Sequence, residues 1–387
     1  MLRVLTLSTL FPDAARPNFG VFVERQTLGL AAHRDVDLRV IAPRGLPPFP
    51  LDRHPHYTGL RGLPQREIWK GLDVHRPRFT ALPATQGRFH VTALAHALTP
   101  VLDAIRADFP FDVIDAEFFF ADGPAAVALG KRYGVPVSIK ARGADIHHWG
   151  RAPATAAQVR EAGQSADGLL AVAGALKADM VALGIPEDRI RVHHTGVDLA
   201  AFRPGDRPLA HSPLVASVGA LIPRKGHDLT IRAVASLPGV RLEIAGEGPE
   251  RARLERLIAE LGVGGRVRLL GSVRHADLPP LLTAADVLAL PSSSEGLANA
   301  WVEALASGTP VVTCDVGGAR EAIDRPAAGR IVAREPGAIA AAIADLLANP
   351  PERSAVRAAA ERFTWEANTA ALYDHLSGLV GRQASSG

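Results

Sequence analysis

Two glutamates eight positions apart, Glu295 and Glu303, punctuate the stretch Pro291-Ser292-Ser293-Ser294-Glu295-Gly296-Leu297-Ala298-Asn299-Ala300-Trp301-Val302-Glu303. A buried strand ending at Leu290 runs into this polar loop, and a helix is expected to follow directly. Leu297, Ala300, Trp301, Ala304 and Leu305 recur at helical spacing and form its buried face. Gly308 and Pro310 end it. Asn299 and Glu303 share the other face. Eight helical residues rise roughly 12 Å, comparable with the span from a hexose across a diphosphate to a ribose. One carboxylate can then accept hydrogen bonds from sugar hydroxyls and the other from the ribose diol. The free N–H groups at Gly296 and Leu297 would face the phosphates, as helix N-termini face anions. Taken singly, either glutamate reads as an ordinary helix-associated acid. The pair in this loop–helix setting reads as function.

A second cluster, Gly219-Ala220-Leu221-Ile222-Pro223-Arg224-Lys225-Gly226-His227, lies where a strand turns into a helix. Arg224 and Lys225 there can neutralise a diphosphate and stabilise its charge as it leaves; a solvated basic turn is the plainer reading. Gly20 sits in the loop after the first strand, where open α/β sheets bind ligands, and its small size permits close backbone approach. Lys140 to Trp149 again directly follow a strand and gather Arg142, Asp145, His147 and His148: a substrate-binding loop or an ordinary polar one. Neither His147-His148 nor His193-His194 has the spaced partners of a metal pattern, so no metal is expected.

The elements that must hold these residues alternate. Strands are expected over 3–8, 37–42, 112–116, 136–140, 168–173 and 190–194, then over 214–219, 241–245, 266–270, 287–290, 310–313 and 330–333, with helices between. That rhythm predicts an α/β protein with parallel sheets. A chain of 387 residues exceeds a single core. The stretch 201–213, with Pro204, Gly205, Pro208 and Pro213, is the best boundary, giving domains over 1–205 and 206–363 and a final helix over 364–387. A second irregular stretch, 44–64, is too long for an ordinary connection and reads as functional or mobile.

Composition narrows the classes. A net charge of +3 argues against a nucleic-acid partner. The single thiol, Cys314, excludes an internal disulfide and a thiolate metal cluster, and fits a reducing compartment. No apolar run approaches the roughly 18 residues of a membrane span, and the first residues read as a strand rather than a leader. A cytoplasmic protein is expected, with or without rest on a membrane surface.

With those residues in view, the sequence resembles the retaining GT-B glycosyltransferases that include bacterial polysaccharide and teichuronic-acid enzymes. Glu295 and Glu303 match the family's Glu-x7-Glu motif and Lys225 its Lys-Gly step. Gly20 falls in its first glycine loop, and His194-Thr195-Gly196-Val197-Asp198 through Phe202-Arg203-Pro204 matches the segment leading to its linker. The resemblance implies two Rossmann-like domains with parallel sheets facing across a cleft, and a last helix crossing back to the first domain. It implies a UDP- or GDP-sugar donor in the second domain: Glu295 on the sugar, Glu303 on the ribose, Lys225 on the diphosphate. Gly219, Gly296, Leu297 and Asn299 would line the donor, and Gly20, Arg142, Asp145 and His147 the acceptor side. No cofactor and no metal are implied; the acceptor would be a saccharide or lipid-linked hydroxyl in polysaccharide or glycolipid synthesis. Two positions depart from the family: Ala220 stands where members often carry arginine, with Arg224 as the substitute, and Arg142 stands where many carry histidine.

Rival readings are weaker. Ile244-Ala245-Gly246-Glu247-Gly248 suggests a dinucleotide fingerprint, but Arg251 occupies the third glycine's place. Asp35-Val36-Asp37 has the spacing of a metal-dependent transferase but lies at a strand's start. An epimerase or hydrolase of the same architecture, or a non-catalytic sugar-nucleotide binder, remains an alternative. Residues 44–90 carry Arg44, Arg53, Arg61, Arg66, Lys70, Arg76, Arg78 and Arg88 against only Asp52, Glu67 and Asp73. This excess suggests an anionic membrane surface as a partner.

Overall fold

The computed structural model describes residues 1–205 and 212–386, so Pro208, the far side of the expected 205/206 boundary and Gly387 lie outside the described residues. The chain divides into two compact units, Met1–His194 with Trp365–Gly387, and Thr195–Thr364.

The first unit holds β1 (Leu2–Leu7), β2 (Val36–Ile41), β3 (Arg44–Leu46), β4 (Arg66–Trp69), β5 (Leu72–His75), β6 (Arg78–Thr80), β7 (Val113–Ala116), β8 (Val137–Ala141), β9 (Gly168–Ala171) and β10 (Ile190–Val192). Eight of them form one sheet in the order β10-β9-β8-β7-β1-β2-β5-β4, while β3 and β6 pair separately. All pairings are parallel except that of β4 with β5. β7, β8 and β9 are buried throughout, as parallel strands covered on both faces must be. The helix Trp365–Ser386 belongs to this unit. Its Leu372, Leu376 and Leu379, spaced to share one face, enter the core beside Val4, Val23 and Leu30.

The second unit holds β11 (Leu214–Val218), β12 (Arg241–Ala245), β13 (Val267–Gly271), β14 (Val287–Ala289), β15 (Val311–Thr313) and β16 (Gly329–Ile331). Their order is β13-β12-β11-β14-β15-β16, all parallel. Ile231, Val234, Leu254, Ile339 and Ile343 from the covering helices pack on Val215, Leu242 and Ile244. Both sheets are Rossmann-like. The strand order reverses between β1 and β7 in one and between β11 and β14 in the other, and loops at the carboxyl ends of such strands form ligand crevices.

Two expectations shift. The break between units falls after His194, ahead of the proline-rich stretch. Residues 195–205 pack with the second unit because Arg357 donates to the carbonyls of Leu199 and Phe202, both at 2.8 Å. Residues 44–64 are not a bare loop: they hold β3, a short turn Leu51–Arg53 and a helix Pro55–Gly62. Buried Arg44 fastens them by donating to the carbonyls of Leu60 at 2.9 Å and Pro64 at 2.6 Å. No helix of the described residues is long and apolar enough to cross a membrane.

Candidate functional site

In the second unit, the reversal point brings the loops after β11 and β14 side by side. The chain leaves β11 through Gly219, turns at Pro223–Lys225, and enters the helix His227–Ala235 through Gly226 at φ +71°. A Cβ on Gly226 would lie 2.5 Å from the Pro291 carbonyl oxygen, so the two loops touch only because this position is glycine. Arg334, beyond β16, locks them by donating to the carbonyls of Pro291 at 3.0 Å and Pro223 at 3.2 Å. Behind them, a Cβ on Gly246 would fall 1.9 Å from the Gly219 carbonyl oxygen, and one on Gly248 2.4 Å from that of Leu221. The two glycines of the false dinucleotide fingerprint are therefore explained by backbone packing.

The juxtaposition builds a charged cluster. Lys225 Nζ donates to Glu295 Oε1 at 2.6 Å, and Arg224 stands 3.3 Å from Glu295 Oε2 while donating to the Ser294 carbonyl. Glu295 is itself buried. Burial would raise its pKa, but Lys225 and Arg224 outweigh it and hold the carboxyl below its ordinary value, so it is ionised. Gly317 braces the far side: its Cβ would lie 2.2 Å from the Glu295 carbonyl oxygen, and Gly318 N–H donates to the Gly296 carbonyl at 2.6 Å. His227 is structural. Burial pushes its pKa to about 4, and the neutral ring lies 3.0 Å from the Ser217 hydroxyl and 3.2 Å from the Ala220 carbonyl.

The helix expected to begin at Gly296 begins at Asn299 and ends at Ala306. Gly296 and Leu297 therefore lie in a bend ahead of the helix and supply no helix N-terminus, and Glu295 is not one helical run from Glu303. The Gly296–Gly318 bond holds that segment out of the helix. Asn299 is half-buried at the first turn, and Glu303 is buried one turn on, its Oε1 2.7 Å from His275 Nε2. His275, in the turn His275–Asp277 beyond β13, carried no signal in the sequence, nor did Arg334.

In the first unit, Gly20 at φ +71° starts the helix Val21–Ala31, and a Cβ there would meet the Leu10 carbonyl oxygen at 2.0 Å. The residues of the 140–149 loop are committed to each other. Asp145 is fully buried and accepts from the backbone N–H groups of Phe119, Arg142, Gly143 and Ile146 at 2.7–3.1 Å. Arg142 is largely buried against Glu117, donating to its carbonyl at 2.7 Å and to its carboxylate. His147 pairs with Asp179 at 2.9 Å. Asp145 thus organises the loop. Beneath it lies a charged network the sequence did not reveal. Lys140 Nζ bonds Gln26 Oε1 and stands 2.6 Å from His193 Nδ1, Gln26 donates to Glu117, and His193 Nε2–H reaches the Asn368 carbonyl at 2.8 Å.

Asp35 and Asp37 are exposed beside the start of β2, away from the strands' carboxyl ends. Among the described residues no group of three or more histidine, cysteine or acidic side chains is placed to hold a metal ion.

Residues 20–201 match the domain described as Glycosyltransferase Family 4, and residues 205–363 that described as Glycosyl transferases group 1. The D-inositol 3-phosphate glycosyltransferases of Mycobacterium tuberculosis and Mycobacterium bovis are 42% identical over 219 residues, covering 51% of this chain and 45% of theirs. The chain spans about half the length of these curated relatives. Among solved structures, sucrose-phosphate synthase from Thermosynechococcus elongatus superposes with a TM-score of 0.80 at 20% identity, covering 100% of both chains. Anabaena HepE in complex with UDP gives 0.74 at 18% identity, covering 98% of this chain and 100% of that one. The two Rossmann-like units are those of the GT-B fold.

Proposed function

We propose that this chain, built of a family 4 and a group 1 glycosyltransferase domain, moves a sugar from a UDP- or GDP-sugar to a hydroxyl acceptor with retention at the anomeric carbon. The observation that carries the reading is the ionised Glu295 held between Lys225 and Arg224 where the second sheet's strand order reverses. An ammonium has three donors. Lys225 spends one on Glu295 and turns the others to a diphosphate, which Arg224 also neutralises in place of the arginine missing at Ala220. Glu295 contacts the sugar and Glu303 the ribose diol, with Gly219 and Asn299 lining the donor. Two fixed cations stabilise the leaving diphosphate as a metal ion otherwise would, so transfer proceeds in EDTA. HepE, a structural neighbour, was solved with UDP and with UDP-glucose, which supports the donor class. The mycobacterial relatives are named for a phosphorylated inositol acceptor; here a saccharide or lipid-linked acceptor of surface polysaccharide or glycolipid synthesis is proposed. Incubation with labelled UDP- and GDP-sugars and candidate acceptors in EDTA tests the reading: label passes to an acceptor, whereas free sugar alone marks a hydrolase.

An anionic membrane surface is the proposed docking partner, on a smaller set of residues than the sequence suggested. Arg44 and Arg76 are buried, and Arg61, Arg66 and Lys70 pair with Asp52, Asp73 and Glu24. Arg53, Arg78 and Arg88 have no acidic partner among the described residues. Near them in the chain, Phe49 is 70% exposed and Phe89 49%; the Arg53 guanidinium lies 4.8 Å from the Phe49 ring. At about 1 kcal/mol per basic residue, such a patch binds reversibly. Binding to phosphatidylserine-containing vesicles is expected to fall with salt. It should fall much further in Arg53→Ser/Arg78→Ser/Arg88→Ser than in Arg61→Ser/Arg66→Ser/Lys70→Ser. Equal recovery with neutral and anionic vesicles would remove the membrane from the account.

A further inference from the structure

Glu303 is only 8% exposed, and its carboxylate has one side-chain partner among the described residues, His275 at 2.7 Å on Oε1. A carboxylate offers two oxygens and about four lone-pair sites, so Oε2 keeps its full accepting capacity. His275 is braced. Its ring stands edge-to-face on Phe202, centroids 5.4 Å apart, and Phe202 is 1% exposed with its carbonyl held by Arg357 at 2.8 Å. The turn carrying His275 is closed by Arg274, which bonds Asp277 at 2.6 and 3.1 Å, and by Asp277 N–H on the Arg274 carbonyl at 2.8 Å. A side chain braced by a ring and by a closed turn, with Nε2 set against a buried acid, fixes that acid's rotamer before any ligand arrives. Pre-setting a contact geometry lowers the ordering cost of binding.

We propose that His275 is a positioning residue of the donor pocket: by holding Oε1 of Glu303 it aims Oε2 at the ribose diol, and it thereby enforces preference for a nucleotide with intact 2′ and 3′ hydroxyls. The inference rests on the reading of Glu303 as the ribose acceptor. His275 touches no reacting atom, so its loss acts on affinity for the nucleotide and not on the chemical step. The effect is specific to the diol, because the only group His275 orients is the one that reads it.

The test is calorimetric titration of the wild type, His275→Ala, His275→Gln and Glu303→Ala with UDP and GDP and their 2′,3′-dideoxy counterparts. The wild type is expected to favour the better ribonucleotide over its dideoxy form by about tenfold or more, the scale of one hydrogen bond to a charged group. His275→Ala is expected to lose about that factor for the ribonucleotide and almost nothing for the dideoxy form, a coupling that separates a specific contact from general damage. Steady-state kinetics should show KM for the nucleotide sugar rising while kcat holds. His275→Gln, whose amide can donate near the same point, restores most of the preference. Equal losses on both nucleotides, or a preference undiminished in His275→Ala, would overturn the role of His275 while leaving Glu303 on the ribose. A wild type that binds nucleotide without distinguishing the dideoxy form would overturn the Glu303 reading and this inference with it.

Discussion

Lys225→Ala is expected to cut kcat/KM for the nucleotide sugar by about 10²–10³, the usual consequence of deleting one fixed donor to developing charge. The fold should survive. Glu295 keeps Arg224 at 3.3 Å, and its backbone stays wedged against Gly317. The expected stability cost is about 1–2 kcal/mol, a few degrees in thermal midpoint. Lys225→Gln, which can still donate to Glu295 but carries no charge, should fall nearly as far in turnover. A second signature follows from the ion pair. Lys225 is the chief counterweight to the burial that would raise the Glu295 pKa; without it the carboxyl titrates higher, and the acid limb of the activity profile moves to higher pH. Turnover within a factor of about two of wild type, with an unmoved acid limb, would show that Lys225 serves the fold alone; the tenfold-per-1.4 kcal/mol scale makes that distinction easy to read.

Lys140→Ala is expected to lower stability by about 3–5 kcal/mol, the sum of an opened cavity and two buried acceptors left without their donor. Those acceptors are Gln26 Oε1 and His193 Nδ1. In a unit of this size that is about 10 °C or more in midpoint, measurable by circular dichroism. The pH dependence has a definite sign. Burial, then Arg142, pushes the Lys140 ammonium from 10.5 down to about 7, against the pull of Glu117 and Asp115. The proton is held more tightly in the unfolded chain, so wild-type stability falls as pH drops from about 10 to about 7 and then levels. Lys140→Met fills most of the volume and lacks this titration, so its deficit against the wild type should narrow over that interval. A midpoint unchanged in both variants would mean that the network carries no stability.

The architecture was legible because its main strands are apolar runs bounded by turns, and each of the twelve expected has its counterpart. The four that were not anticipated are short or lie at an edge. β3 and β6 are three residues each. β4 and β5 form a hairpin through Lys70 and Gly71, both at positive φ, where Lys-Gly is a fainter hairpin cue than Asn-Gly. The helix starts at Asn299, three residues later than its apolar spacing implies, where the Gly296 carbonyl is engaged by Gly318 N–H. Glu295, Lys225 and Arg224 could be picked out because strand ends at a reversal point draw distant loops together. His275 and Arg334 could not, since each is a lone residue of a turn or loop with no motif around it, and only the fold shows which carboxylate or carbonyl it meets. Asp145 and Arg142 show the converse: a polar residue after a strand caps backbone groups as readily as it binds substrate.

The most direct measurement is transfer itself. Purified protein in EDTA is incubated with labelled UDP-glucose and GDP-sugars, with and without lipid extract and oligosaccharide acceptors, and the products are resolved by anomeric configuration. Label is expected to move to an acceptor hydroxyl with the anomeric configuration of the donor retained, undiminished by EDTA and reduced about 10²–10³-fold in Lys225→Ala. Inverted product, transfer that requires Mg²⁺ or Mn²⁺, or label found only in free sugar or an isomerised nucleotide sugar would contradict the proposed reaction.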